Sequence, residues 1–147
     1  MPPWGAVKGF GEFRDDQALT PEQIELIADW VEGGAPEGEP KDLPEPPKWA
    51  APPPAPHGSG QVTVNGDYKL LRPLTLAGIL PRKVAPGASF QVTVELPDGS
   101  IQPLLWLQPY QPAYSHPFRF RNPLALPQGT VIRGVPPGTT VDLLPSR

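Results

Sequence analysis

A chain of 147 residues with 38 % hydrophobic content is long enough for one ordinary domain or two small ones, but its 25 prolines and 15 glycines work against a helix-rich fold, because proline removes a backbone donor and clashes with the preceding turn. Zero cysteines exclude disulfides, Cys-ligated zinc, iron–sulfur clusters and thioether-attached haem in this chain, without fixing a redox compartment. Charge divides unevenly: residues 1–45 carry eleven Asp/Glu against Lys8, Arg14 and Lys41 (net −8), whereas residues 46–147 carry four acids against nine Lys/Arg (net +5), which argues for two segments of different character.

In chain order, the first predicted element is a helix. Leu19-Thr20-Pro21-Glu22-Gln23-Ile24 places a hydroxyl at the N-cap, proline at the first helical position, glutamine three residues after the cap and Leu19 against Ile24 as a hydrophobic staple. Ile24, Ile27, Ala28 and Val31 then fall at helical spacing, widened by Leu26 and Trp30, until Gly33-Gly34 ends the run. A helix of about 13 residues is marginal alone in water, so the stripe of Ile24, Ile27, Trp30 and Val31 calls for a partner surface. Glu22, Glu25, Asp29 and Glu32 mark its wet side.

Residues 40–60 read as a proline-rich linker, semi-rigid and extended. From residue 61 the period changes to two. Val62 and Val64, Asn65-Gly66, then Tyr68 and Leu70 predict a hairpin with a two-residue turn. Phe90, Val92, Val94 and Leu96 predict a half-buried strand, closed by Pro97-Asp98-Gly99 and answered by residues 101–107. Further strands are expected at 116–121, 130–135 and 140–144. Seven or so short strands at this spacing predict a mainly β protein: a small antiparallel, jelly-roll-like β-sandwich (61–147), preceded by a single-helix acidic arm (1–39) and the linker.

Two groups of motifs resemble known families. Met1-Pro2-Pro3-Trp4, the Gly/Phe-rich stretch to Phe13, the capped helix and the exit Gly33-Gly34-Ala35-Pro36-Glu37-Gly38 resemble the distal half of a c-type cytochrome domain, of the kind fused to copper-monooxygenase-like β-domains in exported bacterial proteins. Leu96-Pro97-Asp98-Gly99-Ser100, Leu104-Leu105-Trp106, Phe118-Arg119-Phe120 with Asn122-Pro123-Leu124, and Leu126-Pro127-Gln128-Gly129-Thr130 follow in the order seen in the β-sandwich of copper type II, ascorbate-dependent monooxygenase-like proteins. The resemblance implies an exported, periplasmic setting, a protein redox partner and Met1 as axial sulfur ligand of a haem. The chain departs from both families in its ligands. It has no Cys-x-x-Cys-His, and where the related sandwich offers Pro-His-x-His it runs Ile79-Leu80-Pro81-Arg82-Lys83. Only His57 and His116 carry imidazole, too few for a mononuclear copper centre.

No acid pair, serine or glycine loop declares an active site: Asp15-Asp16 precede the helix, Ser59 and Ser89 sit in turns without a nearby base, and Gly58-Ser59-Gly60 lacks the lysine of a phosphate loop. No apolar run approaches the roughly 18 residues of a membrane span, no secretory signal pattern precedes the helix, and the positive excess forms no cluster along the sequence that would suggest nucleic acid. Aromatic residues remain: Trp106, Tyr110, Tyr114, Phe118 and Phe120 read either as core and a proline-braced loop or as a binding surface, with Arg82, Arg119 and Arg121 as accompanying cations. The reading is therefore a non-catalytic accessory module without metal or cofactor of its own. It would contact a partner, or itself, through Ile24, Ile27, Trp30 and Val31, and through Trp106, Tyr110 and Tyr114. The alternative is a product extended upstream that carries haem c.

Overall fold

The computed structural model describes residues 5–14, 16, 19–46 and 60–146. Of these, 19–46 form one compact unit, and 5–14, 16 and 60–146 form the other. Met1, His57, Ser59, Asp15 and the linker stretch 47–59 lie outside the described residues.

In the first unit, helix α1 (Pro21–Glu32) starts as its sequence predicts. The Thr20 hydroxyl accepts from the Gln23 N–H at 3.2 Å while the Gln23 side chain accepts from the Thr20 N–H at 3.0 Å, which satisfies two N-terminal donors reciprocally. At the other end the Gly34 N–H donates to the Val31 carbonyl at 3.0 Å and the Ala35 N–H to the Trp30 carbonyl at 2.9 Å, the paired bonds of a Schellman ending. The Trp30 Nε1–H donates to the Pro36 carbonyl at 3.1 Å and ties the exit segment to the helix. A 3-10 turn (Pro40–Asp42) follows.

Among the described residues the second unit is a β-sandwich of eight strands: β1 (Val62–Val64), β2 (Tyr68–Lys69), β3 (Leu74–Lys83), β4 (Phe90–Glu95), β5 (Ile101–Leu107), β6 (Phe118–Leu126), β7 (Val131–Arg133) and β8 (Thr140–Pro145). They form two four-stranded sheets, β1-β8-β3-β6 and β2-β7-β4-β5, antiparallel throughout. Successive strands alternate between the sheets except at β4–β5, which is the interleaving of a jelly roll. Val64, Leu76, Ile79, Val141 and Leu143 from one sheet meet Val92, Val94, Leu105, Leu107 and Ile132 from the other in a single fully buried core.

Of the two predicted hairpins, 90–107 forms and 62–70 does not. In the β4–β5 turn, Asp98 Oδ1 accepts from both the hydroxyl (2.7 Å) and the N–H (2.9 Å) of Ser100. These two bonds, the hydroxyl's first, hold its carboxyl below the usual carboxylate range. At 62–70, by contrast, Val62–Val64 pairs with β8 and Tyr68–Lys69 with β7, so Asn65-Gly66 carries the chain from one sheet to the other instead of turning it back. Strand β3, unforeseen in the alternation because Gly78 and Pro81 interrupt it, is the longest of all. Its register shifts next to both residues. Proline lacks the ladder N–H and is tolerated at a bulge, and a Cβ on Gly78 would stand 2.6 Å from the Phe118 carbonyl oxygen, so close strand approach requires glycine there.

Residues 5–14, grouped with the helix in the sequence reading, belong to the sandwich. Ala6 bridges to Leu107 of β5 and Phe13 to Phe120 of β6, so the segment runs along the edge strands of both sheets. Val7 N–H donates to the Trp106 carbonyl and Arg14 N–H to that of Arg119, each at 2.8 Å. Phe13 is buried, stacked on Phe120 at 5.4 Å and tilted against Phe118 at 5.6 Å. Gly11, at φ +93°, makes the approach: a Cβ there would lie 2.6 Å from the Leu104 carbonyl oxygen.

Candidate functional site

The apolar stripe of α1 lies open. Ile24, Leu26, Ile27, Trp30 and Val31 are between 49 % and 70 % exposed, and no residue of the helix is buried. Glu22, Glu25, Asp29 and Glu32 recur at intervals of three, four and three, which places all four carboxylates on one face and the large apolar residues on the other. The last turn holds no basic residue. Beyond it Lys41 is paired with Glu39 at 2.5 Å, so the surroundings of the stripe are acidic. An apolar stripe edged by one sign of charge can bind a complementary surface and repels its own copy.

The second aromatic group is not a surface. Tyr110 is 6 % exposed and belongs to the core, held by its N–H to the Ala88 carbonyl at 2.9 Å. Trp106 is half-buried and meets the Phe10 ring edge-on at 5.8 Å, so the N-terminal segment takes up its face. Tyr114 alone of the three is open, in a 3-10 turn (Pro112–Tyr114). Of the residues expected to meet a partner, the helix stripe and Tyr114 are exposed, Trp106 is half-buried and Tyr110 is buried, the last two packed by neighbours distant in sequence.

His116 stands with Nδ1 2.7 Å from the Tyr114 carbonyl, which fixes the proton on that nitrogen, and with its ring 4.5 Å from that of Phe118. Arg82, in the Ile79–Lys83 stretch, donates through Nε to Asp142 at 2.5 Å, and Thr63 donates its hydroxyl to the same buried carboxylate at 2.6 Å. A guanidinium locked on a carboxylate is not a copper donor set, and among the described residues no three His, Asp or Glu side chains converge. The described residues therefore do not fit copper. Also among the described residues, no helix is long and apolar enough to cross a membrane.

The cations do gather in space. Arg14, Arg119 and Arg121 line one cleft of about 500 Å³, with Leu144, Pro145 and Ser146 on another wall. Arg119 and Arg121 share a face because Phe118 and Phe120 alternate inward, a signal present in the sequence. Arg14 joins them from over a hundred residues away through the bridge at Phe13, for which the sequence carries no signal. Arg133, in contrast, is forked between Glu95 (2.7 Å) and Asp67 (2.9 Å), and those hydrogen bonds, Glu95 first, raise its proton affinity further.

Comparison with protein-family models, curated proteins and solved structures gave no match. The class of the molecule accordingly rests on its architecture: an eight-stranded jelly-roll sandwich with a separate acidic helical unit. Jelly rolls host many unrelated functions, so function has to be argued from the exposed groups.

Proposed function

We propose that this chain is a non-catalytic accessory module whose helix docks on a partner protein presenting an apolar surface rimmed by lysine or arginine. The observation that carries the reading is α1 itself, with five large apolar residues open to solvent beside four carboxylates on a helix closed at both ends by its own hydrogen bonds. Preformed caps lower the ordering cost of binding, the apolar stripe supplies contact area, and the carboxylates select a basic partner and steer its approach. In the setting that the resemblance implies, the partner is an exported redox protein and the sandwich a derivative of the copper-monooxygenase-like domain. The Met1-Pro2-Pro3-Trp4 motif supports a second reading, in which a product extended upstream carries haem c with Met1 as its axial ligand. An in-frame Cys-x-x-Cys-His codon run before Met1 would decide for it.

Docking is tested by titrating the full chain with a synthetic amphipathic peptide, leucine on one face and lysine along the flanks, against the same peptide with glutamate flanks. The lysine peptide should bind at least about tenfold more tightly, lose affinity as salt rises, and lose it again with Trp30→Glu. Equal binding of the two peptides, an unaffected Trp30→Glu chain, or dimerisation of the chain through the helix in sedimentation would overturn the reading.

A further inference from the structure

Arg14, Arg119 and Arg121 line one cleft of the sandwich, and among the described residues no ion pair balances their charge. Arg119 and Arg121 leave the same face of β6, about 7 Å apart along the strand. Arg14 lies beside Arg119 through a backbone hydrogen bond of 2.8 Å and lines the same cleft. Elsewhere in the sandwich Arg82 is neutralised by Asp142 and Arg133 by Glu95 and Asp67, while Arg72, outside the cleft, forms no ion pair among the described residues. Among the described residues no carboxylate forms an ion pair with Arg14, Arg119 or Arg121, and none lines their cleft. The acid nearest in register, Glu12, backbone-bonded to Arg121, lines a different cavity with Gln102 and Asn122. Three like charges held at one wall repel one another, and a bound anion removes that repulsion.

From this geometry we infer that the cleft is a binding site for a small tetrahedral oxyanion ester, a phosphate or sulfate monoester whose apolar or ring body rests on Leu144 and Pro145. Three guanidinium forks offer more donors than one planar carboxylate can accept, whereas a tetrahedral ester group presents three terminal oxygens. A volume of about 500 Å³ suits a small molecule. Five of the nine lining residues are apolar (Ala77, Phe120, Pro123, Leu144 and Pro145), a surface that a bare inorganic ion would leave wet.

Calorimetric titration of the full chain with phenyl phosphate, phenyl sulfate, inorganic phosphate and benzoate, at physiological salt, tests the site. The esters should bind, both more tightly than inorganic phosphate or benzoate, and the phosphate-to-sulfate ratio tells a dianion site from a monoanion site. Arg119→Ala and Arg121→Ala, at exposed positions that leave the thermal midpoint unchanged, should each weaken ester binding by about tenfold or more. Arg72→Ala, outside the cleft, and Trp30→Glu, on the helix, should leave it unchanged, which separates this site from the docking helix. No ester binding at millimolar concentration, unaltered binding by the Arg119→Ala chain, or preference for an Asp/Glu-rich peptide or an oligonucleotide would overturn the inference.

Discussion

The two units of this chain are held together by different physics. The helical unit is built from bonds that close within six residues, the cap at Thr20, the ending at Gly34 and the Trp30 indole on Pro36, and none of its described residues is buried. The sandwich is built from contacts between residues far apart: Thr63 with Asp142, Arg82 with Asp142, Phe13 with Phe120. Local bonds preserve a shape without burying it, which leaves a hydrophobic face available for binding. Non-local burial stabilises a scaffold but uses its apolar residues up, so the face left for recognition is charged. In one molecule, then, the two proposed recognition surfaces are of opposite kinds: apolar and acidic on the helix, cationic on the sandwich.

The comparison breaks most easily at Phe13. Truncation to alanine removes a buried ring stacked on Phe120 and tilted against Phe118, and should cost the sandwich about 3–5 kcal/mol, read as a lowered midpoint in denaturant, while the helical signal persists. A simultaneous loss of both would show that the units unfold as one. Thr20→Ala sharpens the contrast from the other side. It removes one half of the reciprocal cap and should cost about 1 kcal/mol of helix stability, visible in amide exchange across residues 21–25, with the sandwich midpoint unmoved. The smallest effect belongs to the β4–β5 turn. Because Asp98 has a carboxyl held below its unfolded value, its contribution is present above the ordinary carboxylate range and disappears as pH falls through the folded value. Asp98→Ala should therefore lower neutral-pH stability slightly, leave stability below the carboxylate range nearly as it was, and so flatten the acid limb of the sandwich's profile.

How much was legible in the sequence follows the same divide. The helix was readable to its caps because its determinants, Thr20, Gln23 and Gly34, act on neighbours. The β4–β5 hairpin was readable for the same reason, through Pro97-Asp98-Gly99. Strand β3 was not: Gly78 and Pro81 break the alternation, and only their partners, the Phe118 carbonyl and the bulge against β8, explain them. Asn65-Gly66 carries a hairpin signal that tertiary pairing overrides, since each flanking strand finds a longer partner in a different sheet. Of the candidate residues, the helix stripe could be named from spacing alone. Tyr110 and Trp106 could not be told from surface residues before the N-terminal segment and the core were in place, and Arg14 could not be assigned to the cleft at all.

The strip of chain from residue 5 to residue 14 has a consequence for anyone shortening this protein. A version started where the strand pattern begins, near residue 61, would strip the outer amides and carbonyls of β5 and β6 of their partners and open the pocket that holds Phe13. Such bare rims are templates for adding a strand from a neighbouring molecule, so the trimmed protein would polymerise or exchange segments rather than behave as a tidier monomer.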